Sequence, residues 1–139
     1  MNNSLTDSKF WDSQYNVSSK SMPNPITCRY DYELIQQIKP FLKDRGFLIE
    51  MGCGDSYWLP YFAKLGYSVC GIDYSTDRLL STSNKLGIGG FRYWRLIHSD
   101  VTEFVSKYKG QFDVVFSAGL IEHFSSQSDI LSIFKQYLK

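Results

Sequence analysis

This 139-residue chain lacks the usual covalent and metal anchors. Its three cysteines, Cys28, Cys53 and Cys70, are an odd number and form no CxxC pair. Such a set supports neither a disulfide framework nor a zinc site, and no metal site is expected. A reducing compartment suits it. Cys53 and Cys70 lie in apolar runs and read as small buried side chains. No apolar run approaches the roughly 20 residues that span a bilayer. The first nine residues are polar and have no apolar core of a secretory signal. A cytoplasmic protein without a membrane partner is the expectation. An excess of one charge is also missing, since 15 basic and 14 acidic residues leave +1. That balance gives no electrostatic case for an obligatory nucleic-acid partner, although a local patch could still meet RNA. There is no internal repeat and no low-complexity tract. What remains is 43% hydrophobic and 17% aromatic, enough for one packed domain.

Two regions are expected. Residues 1–26 are rich in Ser and Asn, carry Pro23 and Pro25, and read as a mobile N-terminal segment. Within it, Phe10, Trp11 and Tyr15 form an aromatic cluster that should pack down on something. Residues 27–139 read as the folded domain. From Asp31, residues Leu34, Ile35, Ile38, Phe41 and Leu42 share a helical face. Pro40 should kink or shorten that helix, and Gly46 ends it. Residues 47–51 are a buried strand leading into a tight glycine loop. Asp55 or Ser56 caps a helix through Leu65, with Pro60 near its first turn. A second strand spans 68–73. Ser75 caps a second helix, which carries Leu79, Leu80 and Leu86 and ends at Gly87. A third strand spans about 91–98. Thr102 can cap a short helix with Phe104, Val105 and Tyr108. A fourth strand spans 112–117. A last helix starts near Ser125 or Ser126, with Ile130, Leu131, Phe134 and Leu138 on one face. This alternation predicts an α/β, doubly wound parallel sheet of order 3-2-1-4 with helices on both faces.

The strongest chemical signal is Glu50-Met51-Gly52-Cys53-Gly54, at the end of the first strand. The glycines permit a turn close enough for backbone to approach a ligand. The next helix points its N–H groups the same way. A lone GxG is weak, but here a strand precedes it and a helix follows. Asp73 ends the next strand about 20 residues on, the spacing at which a carboxylate meets ribose hydroxyls. A dinucleotide site would need a third glycine where Tyr57 stands. No basic residue is expected to wait for a phosphate. The ligand therefore reads as adenosine-bearing but without phosphates.

Four segments then resemble, in order, the motifs of class I (Rossmann-like) S-adenosylmethionine-dependent methyltransferases. Residues 48–54 resemble the first, E/D-x-G-x-G. Gly71-Ile72-Asp73-Tyr74-Ser75 resembles the second, whose acid holds the ribose. His98-Ser99-Asp100-Val101 resembles the third, whose Asp accepts from the adenine amino group and whose next N–H meets the ring. Residues 112–124 resemble the fourth, which lines the methionine moiety and faces the substrate. The resemblance covers about residues 34–139. It implies S-adenosylmethionine as cofactor, S-adenosylhomocysteine as product, and cofactor contacts from Glu50, Gly52, Cys53, Gly54, Asp73, Tyr74, Asp100, Val101 and Ser117. It also implies a seven-stranded sheet. Four strands are legible, so the chain reads as truncated after the fourth.

Plainer roles stand beside these. Glu50 can orient the glycine loop rather than touch the cofactor. Asp73 could cap a helix, but Ser75 already serves that end. Asp100 could cap a turn beside Thr102. His123 could take a proton from a hydroxyl nucleophile, or simply pack. An E-x-x-E-H metal run would need Glu where Gly119 stands. His98 reads as structural. Phe10, Trp11 and Tyr15 suit a cofactor lid or plain packing. The Phe91-Arg92-Tyr93-Trp94-Arg95 run mixes bases with aromatics, but alternating strand faces explain it better. The function expected is methyl transfer to an unidentified acceptor, a small molecule before nucleic acid or protein. The alternatives are a cofactor-binding fragment without turnover and, more remotely, an aminopropyltransferase-like enzyme.

Overall fold

Alternation of apolar side chains along β1 (Phe47–Met51) sends Leu48 to one face of a sheet and Ile49 and Met51 to the other; all three are fully buried. A strand buried on both faces belongs in the middle of a parallel sheet. The computed structural model, which describes residues 29–103 and 106–139, places β1 there. β2 (Ser68–Asp73) lies on one side of it and β4 (Val114–Phe116) on the other, with β3 (Trp94–His98) beyond β2. All pairings are parallel and the order is 3-2-1-4, as expected. The expected mobile segment, the aromatics Phe10, Trp11 and Tyr15, Cys28, Phe104 and Val105 lie outside the described residues.

Helices cover both faces. α1 (Arg29–Ile38), α2 (Trp58–Lys64) and α3 (Thr76–Ile88) share one core, in which Ile35, Trp58, Phe62, Leu79 and Leu86 meet Leu48, Val69 and Phe116. α4 (Gln127–Lys135) closes the other, where Ile130, Phe134 and Tyr137 meet Ile49, Met51, Cys70 and Ile72. Pro40 ends α1 at Ile38, and a 3-10 turn (Lys39–Phe41) follows. That turn rotates Phe41 off the expected face and leaves it 83% exposed.

Element ends differ from expectation for local reasons. β3 starts at Trp94 rather than 91, because the Phe91 carbonyl accepts the Trp94 indole N–H at 3.0 Å and holds a turn. β4 starts at Val114. Phe112 pairs instead with Leu138 in a parallel bridge. α3 runs one residue past Gly87. The capping acceptor after β3 is Asp100, not Thr102: its Oδ1 takes both the Thr102 amide and hydroxyl at 2.8 Å. The described helical turn there is the 3-10 segment Ser106–Tyr108. α2 begins at Trp58, and Ser56, not Asp55, supplies the acceptor for a first-turn amide.

Gly71 couples the sheet to the loop above it. A Cβ there would lie 2.7 Å from Cys53 Sγ, 2.8 Å from Leu59 Cδ1 and 3.0 Å from Leu96 Cδ2. Gly71→Ala should gain a little strand propensity, but overpacking costs about 1–3 kcal/mol and should win. Urea denaturation checks this: wild-type stability in the variant would show that the loop yields where the geometry says it is tight.

Candidate functional site

The carboxyl ends of the strands open on a cavity of about 960 Å3. Its size lies within the ~300–1,000 Å3 of small-molecule sites. It sits where the strand order reverses between β1 and β4, the switch point of an open α/β sheet. Glu50, Gly52, Cys53, Asp73, Tyr74, Asp100, Val101, Ser117 and His123 all line it. Gly54 does not; it is buried, and its amide is committed beneath the cavity.

Two glycines make the β1 loop possible. Gly52 and Gly54 have φ of 66° and 50°, the left-handed region where a side chain is strained. A Cβ on Gly52 would also lie 2.7 Å from Leu120. Between them the Cys53 amide donates to the Ile72 carbonyl at 3.0 Å, and burial pushes its thiol well above the usual range. Asp73, 5% exposed at the end of β2, accepts from the Gly54 amide at 2.8 Å and the Ser75 amide at 2.9 Å. One carboxylate thus joins the loops that follow β1 and β2. A carboxylate has about four lone-pair sites, so these two bonds leave capacity for a ligand hydroxyl. Burial raises the Asp73 carboxyl, opposed by these amides and by the Arg78 charge.

Glu50 is buried below the loop. Ser56 Oγ donates to its Oε2 at 2.6 Å and accepts from the Leu59 amide at 2.9 Å. Burial pushes the Glu50 carboxyl up to about 8; the Ser56 bond and the Lys85 charge oppose this, while Asp73 adds to it. Near neutral pH this is a mostly neutral acid. Asp100 contributes its turn, Val101 is buried beside it, and the Tyr74 carbonyl accepts from His98 Nε2 at 3.0 Å. Ser117 Oγ is buried without a hydrogen-bond partner among the described residues. His123 is half-buried in the 3-10 turn Ile121–His123 after β4.

Several residues here were not anticipated. Arg78 lines the cavity and its guanidinium lies against Gly54, where a Cβ would be 2.8 Å from Cζ. The expectation that no basic residue waits to compensate a phosphate is corrected, since Arg78 stands beside the loop. It comes from the first turn of α3, and nothing in the β1 loop's own sequence points to it. Asp31 of α1 and Asp55 also line the cavity. Thr82 and Lys85 of α3 lie buried against the loop, Lys85 in an ion pair with Asp55. A buried lysine runs against the usual sequence reading. No cluster of His, Cys, Asp or Glu is placed to hold a metal among the described residues, and none of the described helices is long and apolar enough to cross a membrane.

Residues 26–139 match the family described as methyltransferase domain. No curated protein matches the chain. Solved structures do match in fold. The YcgJ protein of Bacillus subtilis superposes with a TM-score of 0.68 at 16% identity, over 78% of this chain and 46% of that one. A SAM-dependent methyltransferase from Aquifex aeolicus gives 0.66 at 17%, over 96% and 68%. An S-adenosylmethionine-dependent methyltransferase from Mesorhizobium loti gives 0.62 at 17%, over 75% and 48%. The chain spans about half the length of the first and the last of these.

Glu50 makes stability depend on pH. Its carboxyl is raised from 4.5 to about 8 on folding, so between those values the folded chain holds a proton that the unfolded chain has lost. Stability from this group is complete below pH 4.5 and falls as pH rises through about 8. Glu50→Gln, which can still accept from Ser56, should flatten that slope. Urea midpoints from pH 5 to 9 check it; equal slopes in both proteins would remove Glu50 as the cause.

Proposed function

The chain belongs to the methyltransferase-domain family, and we propose that it forms the S-adenosylmethionine-binding part of an enzyme that methylates a small-molecule acceptor. One observation carries this reading. Asp73, at the carboxyl end of β2, is tied to the Gly54 and Ser75 amides at the wall of a ligand-sized cavity. A carboxylate fixed this way is a preset acceptor for a ribose diol.

The surrounding residues fit such a cofactor. The buried Ser117 hydroxyl lacks a partner among the described residues, and a ligand's polar end would supply one. Acidic side chains dominate the lining, with Asp31, Asp73, Asp100 and Glu122 against Arg78, while Asp55 is paired with Lys85. That field suits a ligand bearing a sulfonium and an ammonium. Asp73 holds the ribose, Asp100 and the Val101 amide meet the adenine, and Ser117 with the backbone of Gly52 and Cys53 meets the amino-acid end. Tyr74 flanks the ribose and Glu50 keeps the loop in shape from below.

S-adenosylmethionine supplies a methyl group already activated by its sulfonium, and leaves S-adenosylhomocysteine. Little acid–base help is then needed, so the protein's contribution is alignment of acceptor and cofactor within a walled site. His123, on the same cavity, accepts the proton of a hydroxyl acceptor. The acidic lining supports a small acceptor over a nucleic acid, because a polyanionic strand needs cationic partners along its path.

Calorimetric titration with S-adenosylhomocysteine tests the cofactor reading. Saturable binding is expected, and Asp73→Ala should weaken it by about 10- to 100-fold, the scale of hydrogen bonds to a charged acceptor. A folded wild-type chain that gives no heat with this ligand would overturn the proposal. Equal affinity in the variant would take the ribose role from Asp73.

A further inference from the structure

One stripe of α3 holds the glycine loop by its backbone. Thr82, fully buried, donates its hydroxyl to the Gly54 carbonyl at 2.7 Å and accepts from the Ser56 amide at 2.8 Å. Three residues on, the Lys85 ammonium donates to the Asp55 carbonyl at 3.1 Å and pairs with the Asp55 carboxylate, which also accepts from Ser81. The Lys85 side chain is only 7% exposed. Residues 81 and 82 each neighbour residue 85 on the helix surface, at i,i+4 and i,i+3.

We infer that Ser81, Thr82 and Lys85 are positioning residues that hold the Gly54-Asp55-Ser56 backbone in the one conformation that receives the cofactor. The inference rests on the cofactor reading above. Its physical ground is the freedom of the loop. Gly54 has φ of 50°, and glycine visits both halves of conformational space readily. Rotation of the peptide after Gly54 would turn its carbonyl away from Thr82. Turning the peptide before it would take its amide from Asp73. Thr82 grips one side of Gly54 and Asp73 the other, so both peptides are fixed together. Burying an ammonium and two hydroxyls against a loop is costly unless every group is partnered. An apolar face would pack α3 as well, but it could not choose between peptide orientations.

Without the grip, only part of the population keeps a competent loop, and apparent affinity falls by that fraction. The test compares Thr82→Val, which keeps the shape and loses both bonds, with Thr82→Ser, which keeps the hydroxyl and loses a methyl. Two readouts are taken on the 139-residue chain: affinity for S-adenosylhomocysteine, and hydrogen exchange of the Ser56 amide without ligand. Thr82→Val should weaken binding about tenfold, the scale of one or two hydrogen bonds, and speed Ser56 exchange. Thr82→Ser should restore both to within about twofold, even where its melting temperature drops for the lost methyl. Should Thr82→Val not fold, Lys85→Met carries the test, with faster exchange at Ser56 and weaker binding expected. Wild-type affinity and exchange in the variant used would overturn the inference while leaving the cofactor reading intact. So would equal losses in Thr82→Val and Thr82→Ser, which would assign Thr82 to packing. No binding by the wild-type chain would overturn both readings together.

Discussion

The site depends on a single carboxylate placed between two strand ends. β1 and β2 are hydrogen-bonded neighbours in parallel register, so the loops leaving their carboxyl ends emerge side by side. Beyond the Cys53 amide on the Ile72 carbonyl, no ladder bond among the described residues fixes those loops relative to each other. Asp73 does so, with one oxygen on the Gly54 amide and the other on the Ser75 amide. Charge-assisted bonds of this kind are about twice as strong as neutral ones. They also hold the acid at the wall of the cavity that both loops border. Loop order and ligand acceptor are therefore the same group.

That arrangement places several acids close together, and the fold tolerates them by treating each differently. Burial raises the Asp73 carboxyl, and the amides and Arg78 oppose this in favour of its charged form. Glu50, one strand over, receives one hydroxyl and is held mostly neutral by burial. Asp55 is paired with Lys85. Three acids under one loop would repel each other if all were bare. Neutralising one, pairing one and hydrogen-bonding one keeps a single strong acceptor at the cavity wall.

Most of the fold was legible because it follows from periodicity. Buried strands, most of the glycine stops and the Ser75 cap gave the order of the main elements and the 3-2-1-4 sheet, while the helix expected after Thr102 is described as the 3-10 turn Ser106–Tyr108. Two of the displaced element ends share a cause, a side chain competing with the backbone: the Trp94 indole on the Phe91 carbonyl and Asp100 on Thr102. The site was legible where residue type and strand position act together, which brought eight of the nine proposed cofactor contacts and His123 to one cavity. Arg78, Thr82 and Lys85 were not legible. Their partners lie 24 to 30 residues away across a helix–loop contact, and a lysine or threonine within a helix looks like any solvated one. Burial, which only the folded structure reveals, gives them meaning.

The same lining has a consequence for the proposed reaction. Asp31, Asp55, Asp73, Asp100 and Glu122 face a common cavity, with Arg78 opposing them. A cofactor that enters with a sulfonium and leaves as a thioether loses one positive charge during transfer. An acidic cavity interacts more strongly with the entering form than with the leaving one, and the difference grows as the cavity closes to water. Under the proposed function, the charges that draw the cofactor in therefore also weaken the hold on its product. Product release is thus favoured by the chemistry itself.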